Sequence, residues 1–135
     1  MNQEERNEWC FACGKLNPIG LKMQFSEQED KYVAEFTPGQ EHQSYDGIVH
    51  GGIISTLLDE TMGRYYYIKG FHTVTAKLEV RFRHPTPIGQ KITVIGWVTK
   101  ERGKMIEMAA KTVLPDGTIT AEGKAVLMIV GELAS

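Results

Sequence analysis

Asp59 has the clearest opening for chemistry in this sequence. It falls among Gly52, Ser55, Thr56 and Gly63, which share roughly a third of a helix circumference at about 100° per residue. A solvent-facing stripe normally carries long Lys and Glu side chains, whereas these residues are small and include a single carboxylate. The pattern reads either as a solvated stripe or as a surface that another backbone approaches closely, with Asp59 at the contact. A carboxylate held there could serve as general base or nucleophile. Glu60 lies about 100° further round the helix, four residues before Arg64, the favourable orientation for an ion pair. That structural role accounts for Glu60 and leaves Asp59 as the better candidate.

Gly51 and Gly52 open the same helix. Glycines there let a ligand reach free backbone N–H groups, whose partial positive charge favours an oxyanion. No Gly-Lys-Ser/Thr follows, so this is not a phosphate loop. His50 precedes the pair and has no second His or Cys at metal spacing, which gives it a supporting role. Cys10-x-x-Cys13 is half of a tetrahedral zinc site, which wants four ligands. Two cysteines alone read first as plain thiols. Zinc at Cys10 and Cys13, completed by His42, His72 or a second copy of the chain, is the lesser alternative. A redox role has no βαβ pattern behind it.

The elements that must position these residues follow from periodicity. His50–Ile68 reads as one long helix, with Ile53, Ile54, Leu57, Leu58, Met62 and Tyr65 on its apolar side. From His72 to Arg83 the residues alternate. Val74, Ala76, Leu78, Val80 and Phe82 take one face, and Thr73, Thr75, Lys77, Glu79, Arg81 and Arg83 the other. Pro85, Pro87 and Gly89 end that strand. Further strands are expected over Lys91–Lys100, around Ile106–Thr112 and over Thr118–Val130, with a hairpin from Lys22–Ser26 to Lys31–Thr37. The economical arrangement is α+β: one antiparallel sheet of five to six strands wrapped around a long central helix.

Length and composition agree with that frame. A chain of 135 residues, 41% hydrophobic and 24% charged, suits one domain able to bury its own core. The net charge of -2 without a basic stripe excludes nucleic acid as a natural partner. No apolar run approaches the roughly 20 residues of a membrane helix, and Met1–Glu8 has no apolar leader segment. With two cysteines only, the expectation is a cytoplasmic protein.

His50-Gly51-Gly52-Ile53-Ile54-Ser55-Thr56-Leu57-Leu58-Asp59 resembles the His-Gly-Gly…Asp signature of hotdog-fold acyl-CoA thioesterases of the PaaI/4HBT type. Val80 to Gly89 resembles the strand and turn that follow the helix in that family. The head, Cys10 to Leu21, is similar to an N-terminal element of a subset of it. The resemblance implies a single hotdog domain over 1–135, with residues 1–20 as its head. It implies that the Gly51 N–H polarises a thioester carbonyl, that Asp59 acts as nucleophile or general base, and that the Thr75 hydroxyl helps place water. Relatives often carry Asn six residues before the His; here Ser44 stands there with Gln43 beside it. Gln43, Ser44 and Gly52 become substrate-binding candidates, with Arg83 a candidate for the phosphates of coenzyme A. The expected substrate is an acyl-CoA, hydrolysed to a carboxylic acid and free CoA with no metal or redox cofactor. A non-catalytic acyl-CoA binder is the alternative, since this fold can hold a thioester without cleaving it.

Spacing adds a constraint. Gly51 and Asp59 are eight residues apart, about 12 Å along a helix, too far to serve one carbonyl carbon. A homodimer that runs two copies of the helix antiparallel over their small faces would bring each Asp59 to the other chain's Gly51. Two such dimers are expected to pair again.

Overall fold

Apolar residues three and four apart drive a single long helix, α1 (Gly51–Tyr67), in a computed structural model that describes residues 8–132. Ile54, Leu57, Leu58, Met62 and Tyr66 are buried along it. Tyr66, rather than the expected Tyr65, completes this inner face, and Tyr65 packs edge-on against it with ring centroids 5.3 Å apart. Thr61 is also buried, and its hydroxyl donates to the Leu57 carbonyl at 2.8 Å, which removes the cost of an unpaired polar group. Gly70, at φ 97°, turns the chain out of the helix.

Six strands cover α1. They are β1 (Gln24–Gln28), β2 (Lys31–Phe36), β3 (Phe71–Phe82), β4 (Ile92–Arg102), β5 (Met105–Val113) and β6 (Ile119–Glu132). They form one sheet in the order β1-β2-β4-β5-β6-β3, with every neighbouring pair antiparallel. This is the expected α+β architecture of one sheet around one helix. β1 starts at Gln24 rather than Lys22, because Lys22 sits at φ 56° and cannot continue an extended ladder. The helix seats closely on β6. A Cβ on Gly123 would lie 3.3 Å from Leu58 Cδ1, so the glycine makes room for the leucine.

Leu58 is fully buried there. Leu58→Ala should therefore cost about 2–5 kcal/mol in chemical denaturation. A loss well under 1 kcal/mol would mean that the helix is not seated as described.

One irregularity in β3 matters for the site. Thr75 pairs with Leu127 and Lys77 with Val126, so Ala76 is an extra residue, a β-bulge. The bulge shifts the phase of the alternation. Leu78 shares the inner face with its partner Ala125, and Thr75 shares that same face with the fully buried Leu127. Strict alternation had put Thr75 outward with Lys77 and Val74 inward. The structure corrects this: Thr75 faces the helix, and Val74 is exposed.

Ahead of β1, the head lies against the core. Leu21 N–H donates to the Phe11 carbonyl at 2.8 Å and Met23 N–H to the Ala12 carbonyl at 3.0 Å. Ala12, Leu21 and Met23 are buried. Of the polar stretch Met1–Glu8, only Glu8 falls within the described residues. Among the described residues no helix is long and apolar enough to cross a membrane.

Candidate active site

His50 starts the helix. Its backbone is extended (φ -60°, ψ 134°), and Nδ1 accepts the Gly52 N–H at 2.9 Å. The ring is thus an N-cap. With Nδ1 accepting, the neutral ring carries its proton on Nε2. The Gly51 N–H is one of the orphan donors of the first turn, and no acceptor takes it among the described residues. The Phe82 ring, 57% exposed, covers this end of the helix. A Cβ on Gly51 would lie 3.3 Å from the tip of that ring. Phe82 follows the bulge and keeps the face it shares with Leu78 and Val80 in the alternation, which brings its ring to the start of the helix.

Two turns further along, half-buried Asp59 accepts a 2.8 Å hydrogen bond from Thr75 Oγ1. The bond joins helix to sheet and fixes one carboxylate oxygen, leaving the other for a further partner. Between the two positions the hydroxyls turn inward. Ser55 donates to the Gly51 carbonyl at 3.0 Å and Thr56 to the Gly52 carbonyl at 2.9 Å. Such back-bonded hydroxyls leave Asp59 as the reactive group of this face. Packing within the chain does not require a glycine at Gly63. A Cβ on Gly63 would meet nothing within 4 Å, whereas one on Gly52 would crowd the capping His50 ring at 3.0 Å.

The other candidates lie apart. Gln43 Oε1 accepts the Gly47 N–H at 3.1 Å, and Ser44 N–H donates to the Ile48 carbonyl at 2.8 Å. Both shape the loop that leads into His50, and no hydrogen bond joins either to Asp59. Arg83 donates to Glu122 at 3.0 Å. Glu122 pairs with Arg81 on the sheet face turned away from the helix, so Arg83 is not brought to the Gly51–Asp59 face.

Glu60 and Arg64 do not form the simple pair that their spacing suggested. Both turn to the head. Cys10 Sγ donates to Glu60 Oε2 at 3.4 Å. Arg64 donates to Cys13 Sγ at 3.4 Å and to the Tyr32 hydroxyl at 3.2 Å. Burial, reinforced by the neighbouring Cys10, pushes the Glu60 carboxyl up to about 7. The Cys13 side chain holds Cys10 below the usual thiol range, while Cys10 pushes Cys13 up.

The thioesterase superfamily profile (4HBT) matches residues 46–121, more than half of the sequence. The chain belongs to the thioesterase superfamily. Among curated relatives, it is 32% identical over 85 residues to acyl-coenzyme A thioesterase THEM4 of Xenopus laevis, covering 62% of this chain and 38% of that protein. It is 26% identical over 103 residues to acyl-coenzyme A thioesterase 13 of Mus musculus, covering 73% of each. The chain spans between 26% and 38% of the length of the first curated relatives it matches. Among solved structures, the PaaI protein of E. coli from the phenylacetic acid degradation operon superposes with a TM-score of 0.80 at 15% identity, over 98% of this chain and 97% of that one. The fold is therefore the hotdog fold, a sheet wrapped around its central helix. In this superfamily member the helix opens at Gly51 and carries Asp59 on the face turned from the core.

Proposed function

We propose that the chain is an acyl-CoA thioesterase that works as a homodimer, with each site built from Gly51 of one chain and Asp59 of the other. The observation that carries the proposal is the Thr75–Asp59 hydrogen bond at 2.8 Å, made on a helix face of small residues on which Gly63 has open space around it. The names of the frog and mouse relatives supply the substrate class. β3 ends the sheet, and an unpaired edge twelve residues long is a template for a second copy.

The thioester carbonyl oxygen is received by the Gly51 N–H, aided by the helix dipole. Asp59 acts as nucleophile or as general base. As base it takes a proton from water placed beside Thr75, and the hydroxide adds to the carbonyl carbon. The tetrahedral oxyanion collapses, the carbon–sulfur bond breaks, and the CoA sulfur leaves with the proton that Asp59 held. Gln43 and Ser44, which hold the loop before His50, and Gly52 remain substrate-binding candidates in this reading, and Arg83 requires release from Glu122 before it can meet a CoA phosphate. We place the protein in the cytoplasm, where Cys10 and Cys13 stay as free thiols or metal ligands.

The test is release of free thiol from a panel of acyl-CoAs of differing chain length. Hydrolysis of at least one above background is expected. Binding without hydrolysis across the panel would replace the enzyme reading with that of a carrier. On the best substrate, Thr75→Val removes the hydroxyl with little change in volume. A hydrogen bond to a charged group contributes roughly 1.5–3 kcal/mol, so kcat should fall by about tenfold or more. A variant as active as wild type would remove Thr75 from the site.

A further inference from the structure

Cys10, Cys13 and Glu60 play no part in the proposed thioester chemistry, yet the fold gathers them from positions fifty residues apart. One donor atom from each, two sulfurs and a carboxylate oxygen, lies within 4.8 Å of the others. With metal–sulfur and metal–oxygen bonds of about 2.3 and 2.1 Å, the corners of a tetrahedral zinc site are about 3.6 Å apart. The Cys10 Sγ to Glu60 Oε2 distance is 3.4 Å.

The turn that carries the cysteines is tightly made. Gly14 N–H donates to the Cys10 carbonyl at 2.8 Å. A Cβ on Gly14 would stand 2.3 Å from the Glu8 carbonyl oxygen and 2.5 Å from Cys10 N, so only glycine fits. Arg64 reaches Cys13 Sγ from the helix side at 3.4 Å and is itself held by the Tyr32 hydroxyl.

Charge supplies the last argument. Once both thiol protons have left, two thiolates and a carboxylate would carry three negative charges in a half-buried place, of which Arg64 offsets one. A divalent cation neutralises the remainder, and paired sulfur ligands select a borderline-soft ion over calcium or magnesium.

We propose that Cys10, Cys13 and Glu60 bind a zinc ion, with Arg64 donating to the Cys13 sulfur from outside the ligand set and water in the fourth position. Binding sends the protons of the two thiols to solvent and changes no oxidation state. The ion would pin the head to α1 at the residue next to Asp59. It has no step in thioester hydrolysis, so the site stands or falls separately from the proposed activity.

The experiment uses the full chain, purified from zinc-supplemented cells, for metal analysis, then stripped and titrated with cobalt(II). About one zinc per chain and a thiolate-to-cobalt charge-transfer band are expected. The double variant Cys10→Ser, Cys13→Ser should lose both signals, and Glu60→Gln should weaken cobalt binding by at least about tenfold. Folded wild-type protein with negligible zinc and no charge-transfer band overturns the proposal, whether its thiols are free or joined as a disulfide. Glu60→Gln that binds cobalt as tightly as wild type overturns the three-ligand site.

Discussion

Asp59→Asn should give a folded protein that still binds its acyl-CoA, with kcat reduced by about 10²-fold or more. The substitution keeps the side-chain volume and removes the base. Thr75 Oγ1, now 2.8 Å from Asp59 Oδ1, can donate to the amide oxygen in the same way, so the position of the side chain survives. Asp59 also lies outside the buried inner face of the helix, and folding has no reason to suffer. The loss should therefore fall on kcat with KM close to wild type, the signature of an interaction made in the transition state. Steady-state kinetics on the best substrate of the panel, beside a thermal melt, separates this from unfolding. An unchanged kcat would place the chemistry elsewhere. Glu60 is a poor substitute, since its carboxylate is turned to Cys10.

The features legible in the sequence were those that depend on local spacing. The helix, its Gly-Gly opening and the isolation of Asp59 all follow from a period of about 3.6 residues, and the strands from their alternation. What spacing could not show were departures that only tertiary packing imposes. Alternation is a rule of period two, and one extra residue at Ala76 reverses it; nothing in the run Thr75-Ala76-Lys77 marks the bulge. Thr75 thus read as an outward residue by pattern, although the family resemblance implied a role for it, and the structure sets it against Asp59. Glu60 shows the opposite error. Its spacing to Arg64 is right for an ion pair, but the carboxylate finds Cys10 and the guanidinium finds Cys13 and Tyr32, partners no helical rule can reach. Arg83 likewise has a partner that spacing does not show: a cross-strand glutamate takes its guanidinium.

The shared site is the account's central claim, and mixed dimers test it most directly. Asp59→Asn removes the carboxylate, and Gly51→Pro removes the amide donor. Proline suits that position: it is the first residue of the helix, His50 before it is already extended at ψ 134°, and no hydrogen bond is lost with its N–H. The Phe82 ring tip, 3.3 Å from a Cβ there, is exposed and free to give way. Each variant alone should be nearly inactive, with a cooperative melt like that of wild type. Co-refolded in equal amounts and carrying different tags, half of the dimers should be mixed. Each mixed dimer then has one site with both groups intact and one with neither, so activity should return to about a quarter of wild type. Mixed dimers that form, as the tags report, yet stay as inactive as either parent would contradict a site made by two chains.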